Sequence, residues 1–170
     1  VSPAVVIEAR SRTAARWRRH PTTSALLVAG AVALAWTSGI HLRLWSLGYR
    51  HIPTIGPLFL MQGIVASLLA LVVLGLGVSR VLPWANDSSR GVLVSAGVAA
   101  GSALFLLATL GGFFMSDWFG LFGLHDHLDS AYAGLSLVVE CSGAVILLAA
   151  AGNALRGSGL PGRRHGGNSA

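Results

Sequence analysis

The sequence predicts an all-α integral membrane protein: an up-down-up-down four-helix bundle with both termini in the cytoplasm. Three observations lead there. The chain of 170 residues is 54% hydrophobic and only 11% charged, where a soluble domain carries roughly 25% charged residues, and its mean hydropathy is +0.69. Four apolar stretches each reach the roughly 20 residues that a helix needs to cross a bilayer core. The cations cluster around these stretches in an asymmetric way. The composition also excludes collagen-like, coiled-coil, disordered and disulfide-stapled chains. No ten-residue blocks of period-2 alternation point to a membrane barrel.

The elements follow in order. Residues 1–20 form an Arg-rich cytoplasmic segment, of which Ala9 to His20 can lie on anionic headgroups, each Arg contributing about 1 kcal/mol. The four-span domain covers residues 21–155. Its first span, about 24–45, follows Pro21, Thr22, Thr23 and Ser24, a proline and hydroxyl caps suited to a helix start. The second, about 55–78, follows Pro53 and has Pro57 in its first turn. The third, about 92–115, follows Asn86, Asp87, Ser88 and Ser89. The fourth runs about 131–154. Residues 156–170, rich in Gly and without apolar pattern, read as a disordered cytoplasmic tail. An Arg-rich start, an apolar run from Ala25 and the tripeptide Ala33-Leu34-Ala35 also fit a cleavable signal peptide ending near residue 35. The apolar run continues to Trp45, which suits a retained anchor better.

Every one of the 12 basic residues is Arg. Arg10, Arg12, Arg16, Arg18 and Arg19 precede span one, Arg80 and Arg90 join spans two and three, and Arg156, Arg163 and Arg164 follow span four. Only Arg43 and Arg50 fall on the other side, so the positive-inside rule sets both termini in the cytoplasm. Trp45, Tyr49, Trp84, Trp118 and Tyr132 near the span ends fit an aromatic belt. The net charge of +6 is thereby explained by orientation, and no nucleic-acid partner is expected.

Helices already in lipid associate through close packing and interhelical hydrogen bonds. Gly97 and Gly101 form a GxxxG step in span three, beside a stripe of Ser95, Ala99 and Ala103. Span one offers Ala29 and Ala33, and span four offers Ser136, Gly143 and Ala144. The single Cys141 reads as a small packing residue.

Three features go beyond packing. Glu140 lies about ten residues into span four, about 15 Å below the surface; an ionised carboxylate there costs at least several kcal/mol, so it is neutral, paired or hydrated. Gln62 in span two is placed to reach toward it, and Ser136 stands one turn above on the same face. The second feature is the end of span one and the loop after it. His41 shares a face with Trp45 and points into the bundle, while Arg43 points nearly opposite and snorkels to headgroups. Arg43, Arg50 and His51, with Asp117 across the bundle, make a polar outer face for lipid phosphate or another membrane protein. The third is the His125-Asp126-His127-Leu128-Asp129 run. His125, His127 and Asp129 suit zinc or copper, His125 and Asp129 being the facing pair if the helix has begun; the alternative is a solvated helix cap. His41 with His125 or His127 also suits the axial positions of a b-type haem. The baseline expectation is no cofactor. No Walker loop, nucleophile elbow, CxxC or HExxH is present, so no catalytic residue is assigned.

The stretch from His41 to Gln62, with HLRLW at 41–45 and GYRHIPTIGPLFLMQ at 48–62, resembles uncharacterised small four-span integral membrane proteins of actinobacteria. The resemblance implies a bacterial plasma membrane and no specific activity. Two functions are expected from the residues. One is an accessory or scaffold subunit that engages lipid or another envelope membrane protein through its polar outer face. The other is a proton-coupled transport protein, or a metal- or haem-linked redox protein, using Glu140, Gln62, His41 and the loop at 125–129.

Overall fold

A computed structural model describes residues 20–81, 89–119 and 132–157. Four long helices occupy them: α1 (His20–Leu47), α2 (Ile55–Ser79), α3 (Ser89–Phe119) and α4 (Ala133–Gly157), with a 3-10 turn (Tyr49–His51) between α1 and α2. No strand occurs among the described residues. The shortest helices have 25 residues, about 37 Å at 1.5 Å per residue, which exceeds a hydrocarbon core of about 30 Å. All four are long and apolar enough to cross a membrane. Each helix overlaps one of the expected spans; α1 and α3 extend further at both ends, and α4 starts two residues later and ends three residues later than expected. The run His125 to Asp129 lies outside the described residues, as do the Arg-rich start and the Gly-rich tail.

Local chemistry explains the helix boundaries. Pro21 and Pro57 stand in first turns, where no backbone N–H is needed. Gly48 has φ 145°, a backbone state open to glycine, and it ends α1. The backbone of the 3-10 turn then lies so close to α2 that a Cβ on Gly56 would sit 2.8 Å from the carbonyl oxygen of Arg50 and 2.9 Å from that of Tyr49. Thr54, φ 70°, is the centre of a γ-turn closed by the Ile55 N–H donating to the Pro53 carbonyl at 2.8 Å. Tyr132, φ 69°, precedes α4, and its carbonyl accepts from the Ser136 N–H at 2.8 Å.

Packing is uneven around the bundle. α1 packs closely on both α2 and α4, and α4 on both α1 and α3, whereas α2 and α3 barely touch. Hydroxyl groups clasp α1 to α2: Ser24 Oγ donates to the Gly77 carbonyl, and Ser38 Oγ donates to the Gly63 carbonyl at 2.8 Å and lies 2.6 Å from Ser67 Oγ. These pairings run in opposite senses along the two helices, so α1 and α2 are antiparallel. Asn153 Nδ2 on α4 donates to Thr23 Oγ1 on α1 at 3.0 Å. The apolar core is built from residues such as Leu27, Leu34, Val73, Leu106 and Leu147, interleaved with alanines. Large side chains such as Leu71, Leu104, Val138 and Val145 project outward, the surface a bilayer would solvate.

Three packing expectations are corrected. Gly97 and Gly101 are exposed, with no heavy atom within 4 Å of either Cβ position; the face of α3 that packs carries Ser95, Ala99, Ser102, Ala103 and Leu106. Ala29 is exposed, and Gly30 and Ala31 take its place in the contact. Cys141 is exposed as well. Each helix is apolar all round, so the polarity pattern does not say which stripe turns inward.

Candidate functional site

Where α2 and α3 separate, the bundle encloses a cavity of about 320 Å³ lined from all four helices. His41 comes from α1, Gln62 from α2, Thr109 and Ser116 from α3, and Ser136 and Glu140 from α4. His41 lies six residues before the end of α1, and Gln62 and Glu140 lie seven residues after the starts of α2 and α4. All three therefore sit at one level, about 10 Å in from the helix ends, shallower than the roughly 15 Å expected for Glu140.

Glu140, His41 and Thr109 are each held by their own helix. Ser136 Oγ donates to Glu140 Oε1 at 2.8 Å, the one-turn pairing expected from their spacing. Glu140 is only 1% exposed, and Ser136 is its one side-chain partner among the described residues. His41 Nδ1 lies 2.9 Å from the Thr37 carbonyl oxygen. A carbonyl only accepts, so Nδ1 carries the hydrogen and Nε2 of the neutral ring is an acceptor. The imidazole packs against Phe59 with 5.4 Å between ring centroids, and Tyr49 stacks on the same ring at 4.8 Å. Thr109 Oγ1 donates to the Phe105 carbonyl at 3.0 Å. The remaining lining is mainly apolar and aromatic, including Leu58, Phe59, Phe105 and Phe113.

The other sequence-assigned residues separate from this site. Arg43 is exposed on the face opposite His41. Arg50 is exposed, and its Nε donates to His51 Nε2 at 3.0 Å. Asp117 is half-buried next to Ser116 and does not line the cavity. No Arg among the described residues lines it either. Among the described residues no group of three His, Cys, Asp or Glu stands close enough to hold a metal ion; His125, His127 and Asp129 fall outside them.

Sequence reasoning missed the contribution of α3. Phe105, Thr109, Gly112, Phe113 and Ser116 all line the cavity, and their spacing of four, three, one and three residues is that of one helical face. That spacing was legible, but two hydroxyls among aromatic residues carry no charge to draw attention. The arrangement is a concave, mostly apolar pocket with a few convergent polar groups, the usual form of a small-molecule site, at a depth where an ionisable residue points to function. Comparisons with protein-family models, with curated proteins and with solved structures find no match for this chain, so its geometry alone carries the functional reading.

Proposed function

We propose that the chain is a multi-pass protein of a bacterial plasma membrane, an up-down-up-down bundle with both termini in the cytoplasm, whose cavity binds a small molecule at the proton-exchanging carboxyl of Glu140. The distribution of Arg residues supports the orientation, and the resemblance of residues 41–62 to actinobacterial four-span proteins supports the membrane. The convergence of Glu140, His41 and Gln62 from three helices on one cavity carries the functional reading. It favours proton-coupled binding and transport over a purely structural role, because a scaffold needs no carboxyl kept beside an open apolar pocket. A second reading, an accessory subunit engaging lipid or another envelope protein, is supported by the exposure of Arg43 and Arg50 away from the cavity.

Dicyclohexylcarbodiimide tests the first reading, since this apolar reagent modifies protonated carboxyl groups reachable from a nonpolar phase. The folded, purified protein should take a label on the α4 peptide containing Glu140, and Glu140→Gln should lose it. Absence of label at Glu140 in the folded protein, with labelling restored on unfolding, overturns the reading.

A further inference from the structure

Three of the described polar side chains around the cavity direct a hydrogen to a group of the protein itself. Ser136 donates to Glu140, Thr109 to the Phe105 carbonyl, and His41 Nδ1 to the Thr37 carbonyl. What these groups offer an occupant is lone pairs: two hydroxyl oxygens, an imidazole nitrogen and a carboxyl. Gln62 offers one acceptor and one donor group, Ser116 and Tyr132 add hydroxyls, and no Arg among the described residues lines the cavity. Phe59, Phe105 and Phe113 add aromatic rings, which attract cations over their faces. The described lining thus holds no cation to pair with an anion, while its carboxyl, lone pairs and aromatic faces suit a cation.

The route of access is also visible. Met61 on α2 and Ala108 on α3 both line the cavity and are both exposed, Met61 to 56%. Because α2 and α3 barely touch, the cavity opens sideways between them, toward the surface that lipid covers.

Resting on the reading of Glu140 as a proton-exchanging site, we propose that the ligand is a lipophilic organic cation, an amine or onium group on an apolar body, taken up from the bilayer between α2 and α3. On binding, the Glu140 carboxyl gives its proton to water and the resulting carboxylate pairs with the cation. One proton leaves for each monovalent cation bound, and the charge of the site is unchanged. Ser136 continues to donate to Oε1, while His41 Nε2 and the lone pairs of Thr109 accept from an ammonium head. Among the described residues the other titratable groups lining the cavity are His41 on α1 and Tyr132 before α4; α2 contributes the neutral amide of Gln62 and α3 the hydroxyls of Thr109 and Ser116.

The test uses the full chain in detergent with tetraphenylphosphonium and tetraphenylborate, ions of matched shape and opposite charge. Calorimetry in two buffers of different ionisation enthalpy reads both affinity and proton release. The phosphonium should bind saturably with release of about one proton, and the borate should not. Loss of one partner of a buried ion pair costs about 3 kcal/mol or more, so Glu140→Gln should weaken phosphonium binding about 100-fold. In wild-type protein, the phosphonium and not the borate should protect Glu140 from carbodiimide, a readout that needs no variant to fold. Equal or tighter borate binding, phosphonium binding unchanged in folded Glu140→Gln, or absence of phosphonium protection overturns the cation proposal. If Glu140 still takes the carbodiimide label in those cases, the binding-site reading survives; if Glu140 is unlabelled from the start, both fail.

Discussion

Gly143 couples the packing of the bundle to its site, and Gly143→Ala should destabilise the protein by an amount that can be worked from distances. A Cβ there would lie 2.8 Å from Leu106 Cδ1 on α3 and 2.9 Å from Ala33 Cβ on α1. Carbon atoms pack best at about 3.5–4.0 Å. The Leu106 methyl can turn only within a core where that side chain is 0% exposed. Ala33 has no rotamer to change, so α1 and α4 must part by most of an ångström. Overpacking of this kind costs about 1–3 kcal/mol, against a helix-propensity gain of about 1 kcal/mol for replacing Gly. Gly101→Ala isolates the propensity gain, since no atom lies within 4 Å of that Cβ position. The difference between the two variants should therefore be about 1–3 kcal/mol, read as a lower midpoint for Gly143→Ala in sodium dodecyl sulfate unfolding followed by circular dichroism. Glu140 is one turn away on the same helix, so displacement of α4 should also change the rate of carbodiimide labelling. Equal midpoints for Gly143→Ala and Gly101→Ala would refute the assigned helix contact, and a loss confined to Gly101→Ala would mean that the other face of α3 is the packed one.

Two further substitutions test the structure elsewhere. Gly56→Ala sets a methyl against backbone atoms of Arg50 and Tyr49 at 2.8–2.9 Å, where no side chain can yield; it should cost at least as much as Gly143→Ala, measured in the same unfolding assay, and disorder the turn at residues 49–51. Thr37 and Ser102 have buried hydroxyls with no partner among the described residues, and an unpaired buried hydroxyl costs about 1–3 kcal/mol. Thr37→Val keeps the shape and removes the hydroxyl, so its unfolding midpoint should rise; a fall of the midpoint would show that the hydroxyl has a partner, such as a bound water.

Much of the site was legible in the chain because its signals are local. Glu140, Gln62 and His41 are polar groups inside apolar runs, and the spacing of Ser136 and Glu140 by one turn requires their contact once a helix forms. His41 and Arg43, two positions apart, had to face different ways, and they do. Less legible was the partner surface. Nothing in span three distinguishes the Gly97–Gly101 stripe from the Ser95–Ala99–Ala103 stripe, since both are small and apolar. The aromatic and hydroxyl lining from Phe105 to Ser116 likewise acquires meaning only opposite Glu140.

By itself the sequence determined four membrane-length helices and which polar residues lie inside them, because both follow from how many consecutive residues avoid water; the depth of Glu140 depended on where α4 begins. The tertiary structure decided which faces meet, that α1 and α4 each pack on two neighbours, and that α2 and α3 separate to leave a cavity. Those outcomes depend on shape rather than polarity. In helices that are apolar on every side, burial gains nothing by choosing one face over another, and the choice falls to steric fit: where Gly143 admits Leu106, where Gly63 admits Leu42, and where no comparable fit draws α2 onto α3.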